Sequence, residues 1–179
     1  AEMRREVFDH YDRPLLTVGE TPSVAVADAC LLTDPARGEL DMVFQFEHME
    51  VDHAGSKWNR RPFDLVALKS SLDAWQAGLA EVGWNSLYWN NHDQPRVVSR
   101  FGDDGEYRVR SAKCLATVLH LLRGTPYVYQ GEELGMTNVA FDSIDDYRDV
   151  ETLRYYDAAV RAGEDPAATL ASIVPASRD

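Results

Sequence analysis

The sequence predicts an α/β fold built on a parallel sheet whose outer face is covered by helices. Two observations predict it. Four short apolar runs, near 14–19, 42–46, 87–89 and 126–129, alternate with longer stretches of helical periodicity. Continuous apolar strands alternating with helices imply a parallel sheet rather than a meander. Each run also stops at polar or ionisable groups: Glu20, Glu47 with His48, His92 with Asp93, and Gln130 with Glu132. In an α/β barrel the C-terminal rim of the sheet is where catalytic groups collect, each delivered by a different strand. Four strands that deliver carboxylates and amides to one rim are far more informative than any one of them.

Taken in order, residues 2–11 read as the tail of a helix. Pro14–Gly19 reads as a strand ending at Glu20, and Thr21–Pro22 as the cap and first position of a short helix over 23–32. Met42–Phe46 is the second strand, followed by a polar loop over 49–62 with Lys57, Trp58, Arg60 and Arg61. Leu65, Leu68, Leu72, Trp75 and Leu79 recur at spacings of three and four, which predicts an amphipathic helix capped by Asp64. The Leu87–Trp89 strand leads into Asn90–Arg96, and Pro95–Tyr107 reads as a loop. Ala112, Leu115, Ala116, Leu119 and Leu122 mark one face of a helix that Gly124 stops. Pro126–Tyr129 is the fourth strand, 134–149 an irregular acidic stretch, and 150–160 and 166–173 two further helices. Residues 1–179 are expected to form a single unit with no internal boundary and no low-complexity segment. Trp75 and Trp84 are expected in the core, and Asp142–Asp149 on a solvated face.

Composition narrows the function. The chain has 179 residues, is 45% hydrophobic, and contains no apolar run long enough to span a membrane. Its net charge of −12 argues against a nucleic-acid or anionic-membrane partner and suits a neutral substrate. Cys30 and Cys114 fall in apolar helical patterns, read as small buried hydrophobes, and fit a reducing, cytoplasmic compartment. No residues have zinc-ligand spacing.

Four stretches carry a resemblance: Thr17–Thr21 (TVGET), Phe44–Met49 (FQFEHM), Asn91–Arg96 (NHDQPR) and Gly124–Met136 (GTPYVYQGEELGM). In this order and at these spacings the chain resembles the α-amylase family of retaining glycosidases, nearest its oligo-1,6-glucosidase and α-glucosidase branch. The resemblance implies a (β/α)₈ TIM barrel of which this chain supplies about the second half, strands five to eight. It implies that Glu20, ending the fifth strand, is the acid/base, and that Asp93, ending the seventh after His92, stabilises the transition state. His92 is expected to donate to a hydroxyl of the same glucose, and Gln94 and Glu151 to meet the next sugar unit. Phe46 and Trp58 are candidates to cover sugar faces, whereas the pair Glu47–His48 reads as structural support.

Retaining cleavage needs a carboxylate nucleophile facing the acid/base at about 5–5.5 Å. The family's nucleophilic aspartate, which ends the fourth strand after an arginine, has no counterpart here and is expected upstream of Ala1. The calcium loop of some members is also expected upstream, so no cofactor is implied for this chain. The implied partners are a short α-glucoside and the N-terminal half of the barrel. Two other readings share these residues: a transferase or isomerase of the sucrose-isomerase or trehalose-synthase kind, and a noncatalytic sugar-hydrolase-like domain. The latter predicts eroded positions, whereas Glu20, His92 and Asp93 are all present.

Overall fold

A computed structural model describes residues 2–178. The chain divides into two compact units, interleaved along the sequence. The first takes residues up to Val51, Phe63–Leu87 and His120–Tyr127; the second takes Asp52–Pro62, Tyr88–Leu119 and the chain from Val128 on. The elements in chain order are α1 (Glu2–Glu6), β1 (Val18–Glu20), α2 (Val26–Thr33), β2 (Met42–Phe44), β3 (His53–Ser56), β4 (Asn59–Arg60), α3 (Leu65–Gly78), β5 (Asn85–Tyr88), α4 (Val97–Phe101), α5 (Arg108–Leu121), β6 (Thr125–Tyr127), α6 (Val150–Arg161) and α7 (Pro166–Ile173).

The first unit carries the main sheet, in the order β1-β2-β5-β6. β1 and β2 pair in parallel with Val18, Gly19 and Glu20 opposite Met42, Val43 and Phe44, and β2 pairs in parallel with β5. The parallel sheet expected from the alternating pattern is therefore present. Val43 points to the helices and packs with Ala29, Trp75 and Leu79, all essentially inaccessible to water. Because side chains alternate along a strand, Glu20 and its register partner Phe44 belong to the opposite face. α2 and α3 pack closely enough that a Cβ on Gly78 would run into Val26. Asp64 caps α3 by accepting from the amides of Val66 and Ala67, as its position predicts.

Several expectations needed revision. The first strand begins at Val18 rather than Pro14, because the Thr17 amide is given to the Asp41 carboxylate at 2.7 Å instead of to a ladder. α2 begins at Val26 rather than Ser23, whose backbone is left-handed with φ 63°. Trp84 is 36% exposed rather than in the core: its indole donates to Thr125 Oγ1 at 2.8 Å and the Arg123 guanidinium lies over its ring. Cys114 is exposed and Cys30 half-buried, because Cys114 falls off the face of α5 on which Ala112, Leu115, Ala116 and Leu119 are shielded.

The second unit holds two elements absent from the sequence reading. The polar stretch after Met49 contains the β3–β4 hairpin, with His53 opposite Arg60 and Ser56 opposite Asn59. Its residues are polar and largely exposed, so no apolar alternation announces it. The stretch after Pro95 contains α4, whose first amide, Val97 N, is accepted by the Asn90 side chain at 2.6 Å. Trp89, Val97, Val98, Tyr147 and Ile173 are buried in this unit, and the Trp89 indole donates to the Leu115 carbonyl at 2.9 Å.

Candidate active site

In the first unit, Glu20 ends β1 and is exposed. The turn behind it is locked, because the Thr21 amide and hydroxyl both donate to the Phe44 carbonyl, at 3.2 and 2.8 Å. Glu47 and His48 serve structure, as their sequence position suggested. Glu47 accepts from the Trp75 indole at 2.8 Å, and the buried His48 shares a 2.7 Å hydrogen bond with Gln45. That bond turns the chain out of β2 after Phe44, two residues before the expected end of the strand.

In the second unit the residues after β5 form a cluster around one guanidinium. Arg178 donates to Asp93 Oδ1 at 3.0 Å, to Asp149 Oδ1 at 2.8 Å and to Glu151 Oε2 at 2.9 Å. Asp93 is half-exposed, its amide is held in a turn by the Asn91 side chain at 2.8 Å, and His92 Nε2 lies 3.4 Å from its other oxygen. Lys57 Nζ pairs with the same Glu151 oxygen, Oε2, at 2.6 Å. Gln94 accepts from Arg100 Nη1 at 2.7 Å through its side-chain oxygen, which directs its amide NH₂ away from that guanidinium.

Asp93, His92 and Glu151, all proposed from sequence, are thus brought together around Arg178. Arg178, Lys57 and Asp149 were missed. Asp149, expected on a solvated acidic face, instead caps α6, accepting from the Glu151 and Thr152 amides, and pairs with Arg178. A signal was available, since an aspartate directly before a helical run is a cap pattern. For Arg178 there was none, because its partners lie 85, 29 and 27 residues away.

The charges are tuned by this packing. Burial pushes the Asp149 carboxyl up, but the hydrogen bonds from Arg178, Thr152 and Glu151 outweigh it and hold it far below the usual carboxylate range. For Arg178, burial pulls down, while Asp149 first and then Asp93 and Glu151 hold it above the usual arginine value. A cation fixed among carboxylates in this way keeps Asp93 oriented without neutralising the whole cluster, which keeps a negative balance of three carboxylates against Arg178 and Lys57.

The strand-end loop is braced on both sides. Asn90 donates to Glu132 Oε2 at 2.7 Å while its oxygen caps α4. The Arg96 amide donates to Asn138 Oδ1 at 2.7 Å, and the Arg96 guanidinium donates to the Gln130 carbonyl at 2.6 Å and lies over the Tyr129 ring. Trp58, a candidate sugar platform, stacks on Tyr155 with centroids 4.5 Å apart and has Lys57 Nζ 4.8 Å from its ring centre. Among the described residues no group of three or more His, Cys, Asp or Glu is placed to hold a metal ion. No described helix is long and apolar enough to cross a membrane.

A parallel sheet with α2 and α3 packed on one face and polar groups at its strand ends has the layered architecture of the α/β barrel class. The family model for the α-amylase catalytic domain matches residues 1–173, and the chain belongs to that family. It is 58% identical to oligo-1,6-glucosidase of Bacillus cereus over 180 residues, which cover 99% of this chain and 32% of that protein. The crystal structure of trehalose-6-phosphate hydrolase from Bacillus licheniformis superposes with a TM-score of 0.92 at 52% identity, again over 99% of this chain and 32% of the other. Isomaltulose synthase from Erwinia rhapontici superposes with a TM-score of 0.88 at 39% identity, with the same coverage. The chain therefore spans about a third of the length of the relatives it matches, and the four strands of its main sheet are part of the family's (β/α)₈ barrel.

Proposed function

We propose that the protein carrying this chain hydrolyses α-glucosidic bonds of short oligosaccharides with retention, with Glu20 as acid/base and Asp93 as transition-state stabiliser. The observation that carries the reading is Asp93 itself: a half-exposed carboxylate at a strand end, oriented by Arg178 and flanked by His92. Such a group accepts hydrogen bonds from sugar hydroxyls and opposes the positive charge that grows on an oxocarbenium-like ring. His92, which is largely exposed, donates to a hydroxyl of the same sugar. Glu20 protonates the departing glycosidic oxygen and then takes a proton from water. Gln94 and Glu151 meet the second sugar. The nucleophile and the remaining barrel strands come from the rest of the full-length protein, a reading supported by the length of the relatives. The free thiols of Cys30 and Cys114 support a cytoplasmic location.

The test is Glu20→Gln in the full-length protein. Turnover of maltose and isomaltose should be abolished, while the first step with activated aryl α-glucosides, which need little protonation to leave, should be much less affected. Undiminished disaccharide hydrolysis by this variant would remove Glu20 from the acid/base role. Which disaccharide the wild type prefers decides α-1,4 against α-1,6 linkage. The likeness to isomaltulose synthase favours glucosyl transfer as the second reading. Incubation with sucrose distinguishes the two: free glucose and fructose mark hydrolysis, and a rearranged disaccharide marks isomerisation.

A further inference from the structure

The segment Asp52–Arg60, which comprises the β3–β4 hairpin and the aspartate before it, makes two independent tethers within the second unit. They end on the two residues assigned to the second sugar. At its tip, Lys57 Nζ pairs with Glu151 Oε2 at 2.6 Å. At its base, Asp52 accepts from Arg100 Nε and Nη2 at 3.0 and 2.7 Å, and the third arm of the same guanidinium donates to Gln94 Oε1 at 2.7 Å. The hairpin is fixed in place by the near-parallel stack of Trp58 on Tyr155 of α6, with 7° between the rings, and by Arg60, which reaches both Asp52 and the Pro175 carbonyl. His53 Nε2 lies 3.0 Å from Arg100 Nη2; since a guanidinium only donates, that nitrogen is the acceptor and the ring carries its proton on Nδ1.

We propose that this hairpin is the element that positions the second-sugar subsite, with Lys57 aiming Glu151 and Asp52, through Arg100, aiming Gln94. The proposal rests on the glycosidase reading above. Lys57 and Arg100 are positioning residues, since each acts through another side chain. Glu151 is the freer of the two targets, with a side chain 51% exposed, and it is shared between Lys57 and Arg178. Without Lys57, Arg178 alone draws Glu151 toward Asp93 and Asp149, away from the second sugar. Gln94 without Arg100 loses the contact that presents its NH₂ outward. Neither loss touches Glu20, Asp93 or His92, so the effect is confined to substrates that fill the second position.

The experiment compares Lys57→Met and Lys57→Arg in the full-length protein on isomaltose, maltose and α-glucosyl fluoride, whose leaving group is too small to occupy the second-sugar position. Lys57→Met is expected to raise KM for the disaccharides by about two- to fivefold, the range for a partly exposed ion pair, with kcat little changed. Parameters for the fluoride should be unchanged, and Lys57→Arg should restore disaccharide binding. Arg100→Lys keeps the charge but cannot hold both Asp52 oxygens and Gln94 together, and it should show the same split more strongly. If that buried variant fails to fold, the Lys57 pair still decides. Equal changes on fluoride and disaccharides from Lys57→Met, or no change on either, would overturn the proposal while leaving the glycosidase reading standing. A wild-type protein that turns over neither fluoride nor disaccharide would overturn the glycosidase reading and the proposal with it.

Discussion

Replacing Asp52 by asparagine should be among the most destabilising single changes in the second unit. The Asp52 side chain is 3% exposed and that of Arg100 1%, and Arg60 shares the same carboxylate. Burial first, and then the like charge of Arg100, draws the Arg60 guanidinium down to about 10; burial likewise draws Arg100 to about 10. Both stay protonated near neutral pH, so one buried and one partly buried cation share this carboxylate. Asp52→Asn leaves both without it, and breaking a buried pair in this way costs about 3–5 kcal/mol. Arg100→Met should cost less, because Asp52 keeps Arg60 and the thioether fills much of the space. The double variant should cost less than the sum of the two, since the cation stranded in one is gone in the other. Urea unfolding of the full-length protein followed by tryptophan fluorescence measures all three, provided the slope is unchanged. Asp52→Asn within about 1 kcal/mol of wild type, the level of a surface pair, or Arg100→Met costing more than Asp52→Asn, would refute the reasoning.

Two further outcomes follow from local geometry. The Asp149 carboxyl is held below its unfolded value, so its contribution is complete above about pH 4 and is lost as pH falls below that toward the folded value; acid unfolding curves of wild type and Asp149→Asn should therefore differ at pH 6 and converge in strong acid, and a constant offset would contradict the Arg178 pairing. Gly131 sits at φ 88° with no room for a Cβ beside the Met136 side chain, so Gly131→Ala should lower stability by about 1–2 kcal/mol or more, and an unchanged melting temperature would refute that assignment.

What the sequence by itself determined is what depends on near neighbours. The alternation of apolar runs with helical faces was enough for the parallel sheet, because strand and helix periods are local properties. Asp64 before α3 and Pro166 opening α7 marked helix starts, because a cap acts over three residues. The strand-end groups Glu20, His92 and Asp93 were legible because a polar cluster that ends an apolar run can only sit at a sheet rim. Exposure was less legible: Trp84 reads as core by its hydrophobicity, yet Thr125 and Arg123, some forty residues on, satisfy it at the surface. What only the tertiary structure decided is which charges meet. Arg178 reaches Asp93 across 85 residues, Arg100 reaches Asp52 across 48, and Lys57 finds Glu151. Any of the acidic residues of this chain would satisfy an arginine in sequence terms, and Coulomb attraction carries no positional code along the chain. The packing that brings 52–60, 90–100, 149–151 and 178 together selects the partners, and with them the orientation of Asp93.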